Sequence, residues 1–346
     1  MTVEGELAWL SVLTLDVTSA CPLQCAHCCV ESGPSRRDTM EIAEAVAWVT
    51  EAVEINPNLL LRFLGGEPFS RFGVMLAAAG EAHRSGCSCV VTTGAGWVRD
   101  RAHAEDRMTQ LQQVGLRAVY VSYDVFHDPW VKTKQVVDCI AAARELGLEV
   151  VVAEVTTTSG PSARELLGDA LEGIDGVVFD GQPLGPTGRG RDLPASMVPV
   201  MDWGKVNLRC PVRTELMIRW DGAAYLCPTQ IYSSTADIHS PAGQRERENP
   251  LYLGDARVMT LRELRAAAGK KGWFGVVTTG GFDELERIVQ RHHPGFRLPR
   301  VHAGVCNLCT LTVGSPRFGP LVANAFDREA HLGQEDLPQP AEGGGI

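Results

Sequence analysis

No stretch of 18 apolar residues occurs in this chain of 346 residues, which excludes a transmembrane helix. The first residues, MTVEGELAWLSVLTLDVT, contain acids followed by a strand-like run, and they lack the basic start of a signal peptide. Long runs of Lys or Arg are also missing, and the net charge is −10, which argues against nucleic acid and anionic membranes as partners. We therefore expect a cytoplasmic protein.

Cysteine, in contrast, is abundant. The 11 cysteines, in a sequence without a secretion signal, indicate reduced thiols that bind metal rather than disulfides. Hydrophobic residues make up 45% of the chain, and its length suits one large α/β domain with a smaller module.

Strand-like and helix-like segments alternate through the first half of the chain, in about six units of ~30 residues. Such alternation predicts a parallel sheet with right-handed crossovers. Because six units fall short of the eight of a closed barrel, we expect an open partial barrel. The predicted strands are Trp9–Thr18, Leu59–Leu64, Ser88–Thr93, Ala118–Asp124, Glu149–Thr157 and Gly176–Phe179, and the predicted helices are Asp38–Val53, Gly73–Ser85, Ala104–Val114, Val131–Leu146 and Ala163–Leu171.

The alternation stops after residue 180, at the Gly/Pro-rich stretch GQPLGPTGRGRDLP. Beyond it, the Asp221-Gly222 turn between two short strand-like runs predicts a hairpin. We expect domains over residues 1–190 and 191–330, and a disordered tail over 331–346. The predicted elements of this part are the strands Leu216–Trp220 and Ala224–Cys227, a polar loop over Ser233–Pro250, and the helices Thr260–Ala268 and Asp283–His292.

Cys21, Cys25 and Cys28 follow the first predicted strand with the spacing C-x3-C-x2-C, in CPLQCAHC. Three thiolates are one fewer than a [4Fe–4S] cluster needs for complete ligation, so one iron would remain open for a substrate or cofactor. A zinc site or buried structural thiols are the alternatives.

The next predicted strand ends in Gly65, Gly66, Glu67 and Pro68. Two glycines let a ligand approach the backbone closely, and a carboxylate binds an ammonium group. A Gly-Gly turn at a strand end is common by itself. At this distance after a three-cysteine loop it becomes a specific signal.

CPLQCAHC and GGEP together resemble the radical S-adenosylmethionine (SAM) superfamily, over residues 9 to about 190. The resemblance implies that the open iron chelates SAM and that one electron cleaves it to methionine and a 5′-deoxyadenosyl radical, which abstracts hydrogen from an unactivated carbon. It implies roles at the methionyl amine, adenine, ribose and SAM carboxylate. The residues implied are Gly65, Gly66, Glu67 and Pro68 for the amine, His27 for adenine, Ser122 and Asp124 for the ribose, and Arg189 for the carboxylate. Simple capping of a strand end is the alternative for Ser122 and Asp124.

A second set of cysteines lies in the last third: Cys210, Cys227, Cys306 and Cys309. Four thiolates close a metal site, and a zinc ribbon is the alternative to an iron–sulfur cluster. Beside the first motif, this set resembles the twitch module, a shortened SPASM domain that carries one auxiliary [4Fe–4S] cluster. The predicted fold class is therefore α/β, a partial (β/α)6 barrel with a small C-terminal β-hairpin and helical Fe–S domain.

Several stretches resemble twitch-bearing peptidyl epimerases: AHCC, the run from Ser122 to Lys132, and the hairpin with its flanking cysteines. In those enzymes a cysteine after the second auxiliary ligand returns hydrogen to the substrate radical, and here that position is Pro228. The substitution favours oxidation or crosslinking over epimerisation. Cys29 and Cys139 are the remaining candidate catalytic hydrogen donors.

The resemblance thus implies a radical SAM oxidoreductase that modifies a ribosomally made peptide, with SAM and two [4Fe–4S] clusters as cofactors. Its partners would be a peptide precursor and a one-electron reductant of the flavodoxin or ferredoxin kind. Because only about eight residues precede the first strand, we expect any binding of the precursor's leader to occur elsewhere in the chain or in a partner protein. The alternatives are a small-molecule dehydrogenase acting on a sugar or aminocyclitol, and a non-catalytic iron–sulfur or zinc scaffold.

Overall fold

The computed structural model describes residues 10–204, 206–212, 214–228 and 249–335. Its first half alternates strands and helices as the sequence predicts, and every predicted element there is present within a few residues. The strands are β1 (Val12–Asp16), β2 (Leu60–Leu64), β3 (Ser88–Thr93), β4 (Leu116–Ser122), β5 (Glu149–Thr156) and β6 (Val177–Pro183). The helices between them are α1 (Ile42–Ile55), α2 (Phe72–Arg84), α3 (Arg101–Gln112), α4 (Thr133–Glu145) and α5 (Ala163–Leu167), with short 3-10 turns over Pro68–Arg71 and Gly168–Leu171.

The six strands pair in parallel in chain order, from β1 to β6. This confirms the partial barrel and the α/β fold class. Parallel strands are buried on both faces, and β1 shows why its sequence suits that place. Leu13 and Leu15 are fully buried on one face, and Thr14 and Asp16 are buried on the other.

The C-terminal part adds further strands and helices. These are β7 (Met201–Asp202), β8 (Glu215–Arg219), β9 (Ala223–Tyr225), β10 (Tyr252–Asp255), β11 (Val301–His302), α6 (Leu261–Gly269), α7 (Gly272–Thr279), α8 (Phe282–His292), α9 (Val305–Thr312) and α10 (Gly319–Glu335). The sequence predicts β8, β9, α6 and α8, but not α7, α9 or α10. The segment of α7, GWFGVVTT, combines two glycines with β-branched residues, which have low helix propensity, and packing overrides that preference.

The predicted hairpin forms around Asp221 and Gly222, where Gly222 has a φ of +80°. The hairpin also extends the barrel sheet, because β8 pairs in parallel with β1 and places Glu215 beside Val12. The sheet therefore runs β10-β9-β8-β1-β2-β3-β4-β5-β6. At the level of the sheet, the two predicted domains are continuous.

A buried polar cluster joins the barrel to the hairpin strand. Nη1 of Arg62 lies 2.9 Å from Oε1 of Glu215, and the hydroxyl of Thr14 donates to the same carboxylate. Burial raises the pKa of Glu215, while the charge of Arg62 and these hydrogen bonds lower it. The cluster supplies partners for polar groups that would otherwise be buried unpaired.

Two further predictions concern the chain after β9. The polar loop over Ser233–Pro250 falls outside the described residues as far as position 248, as does the tail from position 336. Helix α10 extends to Glu335, so the first five positions of the predicted tail are helical. Among the helices of the described ranges, none is long and apolar enough to cross a membrane.

Candidate functional site

A cavity of about 570 Å³ opens at the carboxyl ends of the barrel strands. Such ends carry the functional loops in barrels of this kind. The strand ends that line the cavity contribute Asp16, Leu64, Thr93, Ser122, Val155 and Pro183. The loop after β1 and the start of α9 both contribute to its wall.

Cys21, Cys25 and Cys28 line this cavity on one loop. The loop is folded by backbone hydrogen bonds, with Cys28 N–H donating to the carbonyl of Cys25 at 3.2 Å. Burial raises the pKa of Cys21 to about 12, with a contribution from the charge of Cys28. Burial also raises the pKa of Cys25, and the charges of Cys28 and Cys21 raise it further. The three thiols line one site, and at Cys21 and Cys25 burial disfavours the thiolate form, which a bound metal would stabilise by replacing the proton.

The Gly65-Gly66 turn is packed against the cysteine loop backbone to backbone. Gly66 N–H donates to the carbonyl of Thr18 at 2.6 Å, and Glu67 N–H donates to that of Ala20 at 2.8 Å. A Cβ on Gly66 would lie 2.3 Å from the carbonyl oxygen of Ala20, so only glycine fits there. Both glycines line the cavity, and their backbone is open to a ligand.

The carboxylate of Glu67 is turned away from this cavity. It is fully buried, and among the described residues it accepts hydrogen bonds from the Thr93 hydroxyl at 2.9 Å and from Gly94 N–H at 3.1 Å. Phe69 N–H donates to it as well, at 3.2 Å. Burial raises the pKa of Glu67 to about 7, against the effect of these hydrogen bonds. The side chain thus braces the β2 and β3 turns, and the cavity lining among the described residues includes Gly65 and Gly66 but not Glu67. The contact between Glu67 and the SAM amine stays a prediction.

Asp124 and His27 form a buried pair beside the cysteines. Burial lowers the pKa of His27 to about 4, so that its imidazole is neutral. The imidazole ring of His27 stacks on the ring of Phe126, with 4.7 Å between the ring centroids. Its Nδ1 is buried without a hydrogen-bond partner among the described residues. Burial disfavours ionised Asp124, but hydrogen bonds from His127 and Val155 outweigh this and bring its pKa to about 2. Asp124 also accepts from Phe126 N–H at 2.9 Å, which is the capping role considered as the alternative.

Arg189 closes the opposite side of the cysteine loop. Its Nε donates to the carbonyl of Cys25 at 2.9 Å, and its Nη1 donates to that of Ser32 at 2.7 Å. Its Nη2 is buried and lacks a hydrogen-bond partner within the described part of the chain. Because Arg189 lines the cavity, one directed cationic donor remains for an anionic group.

The second cysteine set also gathers into one place. Burial is the largest cause that raises the pKa of the Cys309 thiol. The charges of Cys227, Cys210 and Cys306 raise it further, which places these three sulfurs near Cys309. Cys306 and Pro228 line the same cavity as the first three cysteines. A single cavity therefore connects both sets.

The two candidate hydrogen donors occupy different surroundings. Cys29 lines the cavity, and burial raises the pKa of its thiol to about 12. Cys139 is fully buried in α4, and it is not among the described residues that line the cavity. Cys139 therefore packs as a small core residue, and its role as a hydrogen donor stays a prediction.

Several cavity residues carried no sequence signal. Trp203, Asn307 and Thr310 line the cavity together with the barrel loops. Trp203 stacks on His302 at 5.6 Å and donates through Nε1 to the carbonyl of His302 at 2.9 Å. These contacts arise from β7 pairing with β11, two strands of two residues that are too short to predict from a pattern.

The model of the family described as the radical SAM superfamily matches residues 15–167, which include both the cysteine loop and the Gly-Gly turn. This chain contains a radical SAM domain. Over 165 residues it is 21% identical to the putative peptide biosynthesis protein YydG of Bacillus subtilis (strain 168). That match covers 47% of this chain and 52% of the relative, so the chain spans about half of the curated relative it matches.

Two solved structures are similar to this protein in fold. Native anSMEcpe with bound AdoMet is 14% identical to this chain. The alignment covers 94% of this chain and 99% of anSMEcpe, with a TM-score of 0.50. Streptococcus suis SuiB bound to precursor peptide SuiA is 13% identical, covers 68% of this chain and 62% of its own, and gives a TM-score of 0.38. At these identities the likeness to anSMEcpe concerns the fold alone.

The packing of the Gly-Gly turn in the radical SAM domain generates a matched test. In Gly66→Ala the new methyl group would push the Gly-Gly turn away from the backbone of Ala20. We therefore expect the variant to displace the cysteine loop and to lower the free energy of unfolding by about 1–3 kcal/mol or more. Gly33→Ala, in the same loop region, introduces a Cβ with nothing within 4 Å and should be nearly neutral. Thermal unfolding of both variants measures the effect. Equal melting temperatures would contradict the packing argument.

The brace formed by Glu67 predicts a structural phenotype. Glu67→Ala leaves buried donors at Thr93, Gly94 and Phe69 without their acceptor, at a cost of about 1–3 kcal/mol for each group that stays unpaired. Glu54→Ala, on the exposed face of α1, is the control and should shift stability by about 0.5 kcal/mol or less. Urea unfolding of the two variants compares them. If Glu67→Ala were as stable as the control, the brace would have no energetic role.

Proposed function

We propose that this protein is a radical SAM enzyme that acts on a ribosomally made peptide and leaves an oxidised or crosslinked residue. One observation carries the proposal: a single cavity is lined by the three cysteines Cys21, Cys25 and Cys28 and also by Cys306 and Pro228. A site of this shape can hold a substrate between an open cluster and a closed one.

The residues present fit SAM and an open [4Fe–4S] cluster. Cys21, Cys25 and Cys28 are thiol ligands in a desolvated loop, and three ligands leave one coordination position open. When bound, the cluster and SAM supply a 5′-deoxyadenosyl radical that abstracts hydrogen from an unactivated carbon. The chain itself would bind and orient SAM and the substrate, and it would exclude water from the site.

Three elements of the chain would orient SAM. Nη2 of Arg189 is the unsatisfied donor for its carboxylate, held in place by the two carbonyls that Nε and Nη1 contact. The backbone of Gly65 and Gly66 would hold the amine. His27, neutral and stacked on Phe126, presents a flat ring and a buried acceptor or donor toward adenine.

Asp124 acts on this arrangement indirectly. Its carboxylate already accepts from Phe126, His127 and Val155, so its main task is to fix the loop after β4. Oδ2 of Asp124 lies 3.6 Å from Nε2 of His27, beyond hydrogen-bond distance, so the two side chains are neighbours. Ser122 lines the cavity beside it and remains the polar side chain for a ribose hydroxyl.

The second set would ligate the auxiliary [4Fe–4S] cluster of a twitch module through Cys210, Cys227, Cys306 and Cys309. Four thiolates saturate the cluster, so its task would be electron transfer with the substrate rather than SAM binding. Pro228 on the cavity wall has no hydrogen to donate. A substrate radical beside it would lose one electron and one proton, and an auxiliary cluster held by these four cysteines would supply the acceptor for that electron. An external one-electron reductant would supply the electron that SAM cleavage consumes.

Iron content tests the cofactor assignment. Anaerobically reconstituted protein should hold about eight irons, four for each cluster. Simultaneous replacement of Cys21, Cys25 and Cys28 by Ala should leave about four and abolish release of 5′-deoxyadenosine, because no open iron remains. Replacement of the four auxiliary cysteines should also leave about four, yet retain SAM cleavage without oxidised product. Cys89→Ala, in the core of β3, is the control and should keep about eight. Zinc in place of iron in the wild type would overturn the proposal.

The fate of the substrate hydrogen tests the role of Pro228. In D2O, the product should lose two hydrogen atoms and carry no solvent deuterium at the attacked carbon, since the wall offers Pro228 where an epimerase has cysteine. Mass spectrometry measures both quantities. A product of unchanged formula with one deuterium would contradict oxidation. Loss of that deuterium in Cys29→Ala would then identify Cys29 as the donor.

A further inference from the structure

Strand β6 is the last strand of the large sheet. It pairs with β5 on one side, and within the described residues no strand pairs with its other side. Its outer positions are open: Val178 is 58% exposed, and Asp180, Gly181, Gln182 and Pro183 are also exposed. An open edge of this kind presents backbone donors and acceptors that can pair with another extended chain.

The pairing of β6 shows which backbone groups are available. In a parallel ladder, alternate residues of a strand direct both N–H and C=O to the same neighbour. Leu184 N–H donates to the carbonyl of Thr156 at 2.9 Å, so the even-numbered positions of β6 face β5. The N–H and C=O groups of Phe179 and Gly181, and the C=O of Pro183, therefore point to the open side.

The open edge leads directly into the cavity. Gln182, Pro183 and Leu184, at the carboxyl end of β6, are part of the cavity wall. Pro183 also packs close to Gly304, the residue before the helix that carries Cys306. An extended chain lying along β6 would thus enter the space between the two cysteine sets.

We infer that the free edge of β6 is a docking site for an extended segment of a peptide substrate, which pairs with it through backbone hydrogen bonds. The inference rests on the proposed function and specifies how the substrate is held. It selects a peptide over a sugar or aminocyclitol, because only a polypeptide carries alternating N–H and C=O groups at strand spacing. A strand of seven residues spans about 20 Å at ~3.3 Å per residue, so a paired segment holds the next residue at the cavity mouth.

Pairing through the backbone has a consequence for specificity. Main-chain hydrogen bonds give affinity without reading side chains, whereas the residue delivered into the cavity is read by the site itself. The exposed side chain of Val178 adds an apolar contact beside the edge. The edge should accept varied flanking sequences and discriminate mainly at the modified residue.

Hydrogen–deuterium exchange on the reconstituted holoenzyme tests the docking site. The probes are short linear peptides selected by display against the holoenzyme in the presence of SAM. With a selected peptide bound, the amides of Phe179 and Gly181 should become protected. The amides of Val178 and Asp180, which face β5, should change little. Protection at other surfaces with none at Phe179 and Gly181, or failure to select any peptide, would overturn the inference.

A matched pair of variants isolates the backbone hydrogen bond. Gly181→Pro removes the outward N–H, and binding of the selected peptides should weaken about tenfold or more. Gly181→Ala adds a Cβ near Thr156 but keeps the N–H, and it should bind like the wild type. Iron content and melting temperature verify that both variants fold. Equal binding by both folded variants would refute the pairing.

Two other outcomes are distinguishable. If Phe179 and Gly181 become protected without peptide as protein concentration rises, the edge is an interface between two copies of this chain, and the peptide inference is wrong. If the wild-type holoenzyme fails to cleave SAM, the proposed function fails whatever the exchange data show. SAM cleavage with peptide binding that is insensitive to Gly181→Pro rejects the docking site alone.

Discussion

Backbone packing between the cysteine loop and the Gly-Gly turn is the constraint on which the site depends. Gly66 and Glu67 donate to the carbonyls of Thr18 and Ala20, at a distance that leaves no room for a Cβ at position 66. The loop after β1 is thereby fixed to the loop after β2, and the Glu67 brace extends the same contact to β3. The loops after β1, β2 and β3 are thus connected by hydrogen bonds, and this connection positions the three thiols before any ligand binds.

Arg189, which follows the last strand of the barrel, also contacts the cysteine loop. It contacts the carbonyls of Cys25 and Ser32, and its backbone N–H donates to Cys28 at 3.1 Å. The chain after β6 therefore returns to the loop after β1 and is hydrogen-bonded to it. In the proposed function, this contact allows one residue to support the cluster loop and to bind the SAM carboxylate.

Much of this arrangement could be predicted from sequence because it depends on local patterns. Strand–helix alternation and the spacing of the first three cysteines are encoded in short segments, and the partial barrel follows from them. The pairing of β8 with β1 is long-range and leaves no local signal, so the continuity of the sheet was not predictable. The orientation of Glu67 was also not predictable, because it depends on Thr93 and Gly94, which lie on another strand. Cys139 shows the same limit, since burial rather than residue type determines whether a thiol can reach substrate.

In the proposed function, the loop carrying Cys21, Cys25 and Cys28 holds a cluster with one iron open to SAM. Electron paramagnetic resonance can detect this open iron in a reduced variant that lacks the four auxiliary cysteines and so retains only this cluster. We expect a [4Fe–4S] signal whose g-values change when SAM is added, because SAM would coordinate the open iron. An identical signal with and without SAM would mean that no iron of this cluster is open to SAM.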